Sequence, residues 1–223
     1  MLEKFVPIDR QERSLRVAEL SRTSGVPVPS IKYYLRAGLL PAGERTAPNQ
    51  AEYGAAHVHR LRLIRALIEV GGLPVAVVKE VLESMDSSGT DLLETLGAAF
   101  KATLPVKKVD DSENAEAAWR TVDQLIEKHG WIVNEDSPNK ETLASALAVL
   151  YRLGQNNVDE IVDAYATHAE QLGEQEIDWV VKRGTPDEIV EAAVVGTFIG
   201  GAVFNAIRVI VHESVSRKNL QNP

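Results

Sequence analysis

The stretch SIKYYLRAGLLP, residues 30–41, sets Lys32 and Arg36 beside a Tyr-Tyr pair and closes on Gly-Leu-Leu-Pro. A helix that only packs has little use for this mixture. One that packs on one side and touches a phosphate backbone on the other uses all of it. Other chemistries are poorly provided. The chain has no cysteine, which excludes disulfides, thiolate metal sites, cysteine nucleophiles and thiol redox sensing. Its five histidines are scattered, and His57 and His59 lie two apart, on different sides of a helix, so no metal site is expected. No Ser/His/Asp set, phosphate-cradling glycine loop or carboxylate pair can be assembled. The glycines of GTFIGGA, residues 196–202, sit in an apolar run within a helix rather than in a phosphate loop. The sequence is read as having no catalytic residues and no cofactor.

The elements that position Lys32 and Arg36 are short. Val17 and Leu20 are apolar at helical spacing, and Gly25 ends a first helix. After the turn Gly25-Val26-Pro27, Pro29 opens a second helix with Ile31, Tyr34 and Leu35 on one side. Gly38 caps this helix and Pro41 prevents its continuation. Two short helices joined by a glycine-containing turn make a helix-turn-helix pattern, whose second helix enters the major groove. Residues 42–53, rich in Pro, Gly and Asn, read as a loop or short ribbon. Two core-facing helices follow, one with Val58, Leu61, Ile64, Leu67 and Ile68, the next with Val75, Val78, Val81 and Leu82.

Charge divides the chain. Residues 1–85 hold 12 Lys+Arg against 9 Asp+Glu, a net +3, whereas residues 86–223 hold 12 against 23, a net −11. A mildly basic front and an acidic back imply two domains with different partners. Residues 1–14, without a signal-peptide-like apolar core, read as a flexible arm of a cytoplasmic protein.

IKYYLRAGLLP, then ERT in the wing, then HRLRLIRALIEVGGLPVAVVKEVL, resembles the winged helix-turn-helix domain of MerR-type transcriptional regulators over residues 15–85. The resemblance implies that Ser30, Lys32 and Tyr33 contact groove and phosphate. It implies that Arg36 reaches the backbone, and that Arg45 and Thr46 at the head of the wing touch phosphate. The chain departs from the family in two places. Pro29 stands where a basic residue is usual, and Asn49-Gln50-Ala51 where the wing usually has Gly-Tyr-Arg. Gln50 can still hydrogen-bond a phosphate, but two lost cations should weaken binding and flatten its salt dependence. Arg10, Arg13 and Arg16 of the arm could compensate.

The rest is expected to be all-helical. Residues 86–111 are read as a hinge and short helix, and residues 112–223 as a helical dimerisation and effector-sensing domain. Ser112 would cap a helix with the stripe Ala115, Trp119, Val122 and Ile126, closed by Gly130. Ser137-Pro138 would start another, ending at Gly154. Asn157 with Glu160 would cap a third ending near Gly173, followed by a short helix at 177–182. Thr185-Pro186-Asp187-Glu188 is the strongest helix start in the chain. The uncharged run 192–207, with Gly196 and Gly200 in a GxxxG spacing, is shorter than a membrane span. It reads as a buried central or dimer-interface helix, with no membrane partner.

In MerR-type regulators the part behind the DNA-binding domain senses something, and metal and redox sensors there use cysteine. Without cysteine, an organic effector or a purely dimerising domain remains. Trp131, Tyr151, Tyr165, Trp179 and Phe198 are the candidate ligand-binding residues, suited to a flat or greasy molecule, or else to the core. The resemblance implies a homodimer on an inverted repeat in double-stranded DNA, acting on RNA polymerase at the promoter. The alternative is a ligand-sequestering protein with vestigial DNA binding.

Overall fold

Glycines in the left-handed region set where the first helices stop: Gly25 at φ 74° closes α1 (Val17–Ser24), and Gly38 at φ 80° closes α2 (Val28–Ala37). The computed structural model describes residues 14–47, 50–87, 113–155, 157–183 and 185–221. After α2 comes the ribbon β1 (Glu44–Ala47) and β2 (Gln50–Glu52), antiparallel, with Glu44 opposite Glu52 and Arg45 opposite Ala51. Helices α3 (Ala55–Glu69) and α4 (Val75–Asp86) complete the first element set. Leu20, Val26, Ile31, Leu40, Tyr53, Val58 and Leu61 form one buried cluster. Each large apolar side chain so buried stabilises by about 1.5–3 kcal/mol, which fixes the angles between these short helices.

The remaining helices are α5 (Glu113–His129), α6 (Pro138–Arg152), α7 (Asp159–Val181) and α8 (Pro186–Val195), then a π turn at Gly196–Gly200 and α9 (Gly201–Gln221). Two compact units result. The described residues up to Leu82 group with those from Phe198 onward, and Glu83–Thr197 form the other unit. The last helix groups with the helix-turn-helix part. Within the first unit, a Cβ on Gly71 would lie 2.7 Å from the Leu67 carbonyl and 3.3 Å from Cβ of Phe198, so this glycine permits the approach of Phe198.

In the second unit α5 and α6 pack closely because the meeting residues are small: Ala115, Ala118, Ala144 and Ala148 are buried with Val122, Leu125 and Leu147. The buried stripe of α5 is thus Ala115, Ala118, Val122 and Leu125. Trp119 and Ile126, expected in it, are only partly buried at its edge. Lys128 and His129 at the end of α5 reach Asp163 on α7 at 2.5 and 3.2 Å, and the other ring nitrogen of His129 faces Glu170 at 3.4 Å. The hydrogen bonds from Lys128 and then His129 hold the Asp163 carboxyl below its usual range.

Three other expectations change. Helix α7 is a single 23-residue element running through Gly173, and Asn157 does not cap it: Val158 is the N-cap, without a side-chain hydrogen bond. One glycine costs a helix about 1 kcal/mol relative to alanine and does not end it without a proline or a cap. The last helix is buried only in its first part, at Ala192, Ala193, Val194 and Phe198, whereas Val203 to Val215 carry exposed apolar side chains. A Cβ on Gly196 would meet none of the described residues within 4 Å, so this glycine of the Gly196 and Gly200 pair holds no described neighbour close. The cap of Thr185 with Glu188 forms as expected. The hinge, the short helix at 90–100 and Ser112 lie outside the described residues.

Candidate nucleic-acid interface

The turn between α1 and α2 is closed by serines. Ser21 Oγ donates to the Val26 carbonyl at 2.7 Å, and buried Ser24 Oγ donates to Leu20 O at 2.7 Å while accepting from Val26 N–H at 3.3 Å. The turn holds α2 so that Ile31 is buried, Tyr34 and Leu35 are half-buried, and Lys32, Tyr33 and Arg36 are exposed. Tyr33 lies 5.8 Å from Tyr34 ring to ring. Burial first, then Glu69 and Tyr33, raise the Tyr34 phenol above its usual value, so it stays neutral and belongs to the packing face.

The wing is anchored at both ends. Leu15 and Tyr53 exchange two backbone hydrogen bonds of 2.9 Å, and Ser14 Oγ donates to Glu52. A Cβ at Gly43 would lie 2.6 Å from the Glu52 carbonyl and 2.7 Å from the Tyr53 ring, so the chain enters the wing only through a glycine. Next to it, His57 Nδ1 accepts the Gly54 N–H at 3.1 Å and the ring meets Tyr53 edge-on. Its Nε2 is buried with no hydrogen-bond partner among the described residues. This histidine shapes the start of α3.

Between α2 and the wing lies a cleft of about 390 Å³. Arg16, Lys32 and Arg45 bring cations to it from three elements, over a lining that includes Val17, Leu35 and Tyr53. Gln50 also lines it, and its side-chain oxygen accepts from the Arg16 guanidinium. Of the sequence candidates, Lys32, Arg45 and Gln50 come together at this cleft. Ser30 is half-buried in the first turn of α2, Tyr33 and Arg36 lie exposed on α2, and Thr46 is exposed on β1. Three cations around one concavity suit a phosphate group.

Arg16 is the residue the sequence reading placed in the arm. It is the N-cap of α1, and its backbone N–H donates to Glu19 at 2.9 Å. The signal was Glu19, three positions into the helix, which ties residue 16 to α1. Conversely, the arginines of HRLRLIR are engaged with the fold. Arg60 donates to the carbonyls of Leu39 and Leu82, Arg62 to Thr23 O at 3.0 Å, and Arg65 to Gly25 O while pairing with Glu69 at 2.7 Å. They tie α3 to carbonyls in and just after the last turn of α1, just after α2, and within α4.

The five aromatic candidates are not gathered. Trp131 and Tyr151 pack at the edge of the α5–α6–α7 core, where Tyr151 meets Thr121 at 2.9 Å and Trp131 stacks on His129. Tyr165 and Trp179 are half-exposed on α7, with the Arg183 guanidinium 3.8 Å over the Trp179 ring. Phe198 is buried in the first unit.

A helix-turn-helix with a two-stranded wing and a basic cleft between them defines a winged helix-turn-helix DNA-binding protein. Residues 15–85 match the family model described as MerR HTH family regulatory protein. The nodulation protein NolA of Bradyrhizobium sp. (strain NC92) is 36% identical over 85 residues, 37% of this chain and 34% of that protein. The HTH-type transcriptional regulator HmrR of Sinorhizobium medicae (strain WSM419) is 38% identical over 68 residues, 30% of this chain and 46% of that protein. The chain thus matches less than half the length of these curated relatives. The crystal structure of SCO5550 from Streptomyces coelicolor A3(2), named as a proposed transcriptional regulator, superposes with a TM-score of 0.70 at 32% identity, covering 92% of this chain and 97% of that one. The chain belongs to the MerR family of helix-turn-helix regulatory proteins, a family of transcriptional regulators and not of enzymes.

Proposed function

We propose that the protein is a one-component transcriptional regulator that binds an inverted-repeat operator in double-stranded DNA as a homodimer. Lys32, Arg45 and Arg16 hold the phosphate backbone around the cleft, with Arg36, Thr46 and Gln50 beside them, while Ser30 and Tyr33 on the recognition helix face the groove. The observation that carries this reading is the convergence of three cations from α1, α2 and β1 on one cleft. The Arg16–Gln50 hydrogen bond supports it further. It sets a guanidinium beside the wing residue where the family usually has Gly-Tyr-Arg, which weakens the case for vestigial DNA binding and a purely ligand-sequestering protein. The helical C-terminal region responds to a small organic ligand, and the regulator acts on RNA polymerase at its promoter, in the cytoplasm. The heavy metal-dependent transcription regulator 2 of Rhizobium meliloti (strain 1021) resembles this chain over only 68 residues. A cysteine-free chain with no cluster of metal-binding side chains among its described residues gives no reason to carry metal sensing over from it.

The test is a footprint of the full chain on the DNA upstream of its own gene at moderate salt. The expected result is a protected inverted repeat, lost on Lys32→Ala. Absence of protection at every salt concentration would refute the reading.

A further inference from the structure

The cleft between α2 and the wing holds more than a DNA backbone uses. A backbone is held by donors to its phosphate oxygens, and Arg16, Lys32 and Arg45 supply them. These three are exposed, whereas Val17 and Leu35 are half-buried and Tyr53 is 7% exposed. The cations therefore form the rim of the cleft and the apolar side chains its floor. Phosphate contacts do not account for that floor. At about 390 Å³ the space falls within the range of pockets that take small molecules, and no carboxylate is among the described residues lining it.

The floor is in place before anything binds. Tyr53 is tied to Leu15 by two backbone hydrogen bonds of 2.9 Å and meets His57 edge-on. Gly43 approaches its ring so closely that a Cβ there would lie 2.7 Å away. At the rim the Arg16 guanidinium donates to Gln50, which holds it beside the wing. Little ordering is then left for a ligand to bring about. Its chemistry follows from the lining: a compact anionic head for the rim and a flat apolar body for the floor. A phosphate monoester carries about −1.5 to −2 charges at neutral pH, against the single charge of each DNA phosphodiester. Guanidinium groups grip such a head bidentately. A ring seated on Val17, Leu35 and Tyr53 leaves water as it binds, a gain that a bare phosphate ion does not make.

Resting on the DNA-binding reading above, we propose that this cleft also takes an aromatic phosphate monoester, and that its uptake releases the operator by occupying Lys32 and Arg45. The probe is 1-naphthyl phosphate, with inorganic phosphate as its control at the same ionic strength. Fluorescence anisotropy of the full chain on the DNA upstream of its own gene should show release by the ester at roughly tenfold or more lower concentration than by the bare ion, because the ring buries apolar surface. Calorimetry without DNA should show the ester binding the full chain, and roughly tenfold more weakly in Lys32→Ala, which lacks a charged donor to the phosphate. Val17→Ser, with a polar floor, should lose the preference for the ester over the ion. Should Val17→Ser misfold, the wild-type comparison and Lys32→Ala still decide, since Lys32 is exposed. Equal potency of ester and ion would mean that the rim binds charge alone, overturning this site while the DNA-binding reading stands. Ester binding undiminished in Lys32→Ala would place it elsewhere on the chain and overturn the site as well. So would an ester that binds through Lys32 and leaves the DNA in place, by removing its control of the operator. A chain that takes up the ester through Lys32 yet protects no DNA would overturn the DNA-binding reading instead, with the ligand site upheld.

Discussion

Two groups of arginine and lysine residues in the first 85 positions do different work, and single substitutions separate them. Among the described residues Lys32 and Arg45 are exposed and make no ion pair, and the Arg16 guanidinium donates to the neutral Gln50 side chain. Lys32→Ala, Arg45→Ala and Arg16→Ala should each weaken DNA binding across sequences alike. Each should also reduce the slope of log affinity against log salt by roughly 0.9, read by fluorescence anisotropy over a salt series. Arg62 donates instead to the Thr23 carbonyl. Arg62→Ala should lower unfolding free energy by about 1 kcal/mol in urea titrations and leave the salt slope unchanged. An Arg62→Ala protein with a reduced slope would move this residue into the interface. The sequence alone does not separate these groups, because a carbonyl at a helix end and a phosphate oxygen call for the same donor.

Elements were legible where a backbone signal fixed them. Gly25, Gly38, Gly130 and Gly154 all adopt positive φ and all end helices the sequence predicts, and Thr185 with Glu188 forms the expected cap. What stayed illegible depended on side-chain volume and on absent breakers. Ala115 and Ala118 turned α5 toward α6 and left Trp119 at the edge, and Gly173 did not divide α7. In the wing, Arg45 and Gln50 could be named from their positions, but the pairing of Gln50 with Arg16 spans 34 residues and needs the fold. Two predictions belong here. Gly43→Ala forces a Cβ into the Glu52 carbonyl and the Tyr53 ring. It should cost about 1–3 kcal/mol of stability by denaturant titration and weaken DNA binding more than an exposed substitution on β1, such as Thr46→Ala. The Glu188 carboxylate accepts from the backbone N–H of Thr185 and from its hydroxyl, which lowers its pKa from the usual 4.5. A carboxylate with a depressed folded-state pKa stabilises above its unfolded pKa, and that stabilisation is lost as pH falls through the folded value. The denaturation midpoints of wild type and Glu188→Gln should therefore differ at neutral pH and converge in the acid range below 4.5. A difference independent of pH would show that the carboxylate is not the stabilising species.

At the scale of the whole molecule, one recognition helix per chain reads only half of an inverted repeat, so affinity for the full operator comes from joining two chains. The two half-sites must then lie on compatible faces of the duplex, whose repeat is about 10.5 bp. Inserting about 5 bp at the operator centre rotates one half-site to the opposite face. A dimer held by a packed helix pair has no slack to follow, and the insertion should lower affinity on the order of a hundredfold, the usual scale of a lost second attachment. Gel-shift titrations of the wild type on the native and the inserted DNA make the comparison. If it tolerates the insertion, the chains act independently on DNA. The basic cleft of each would then suffice for binding without a partner.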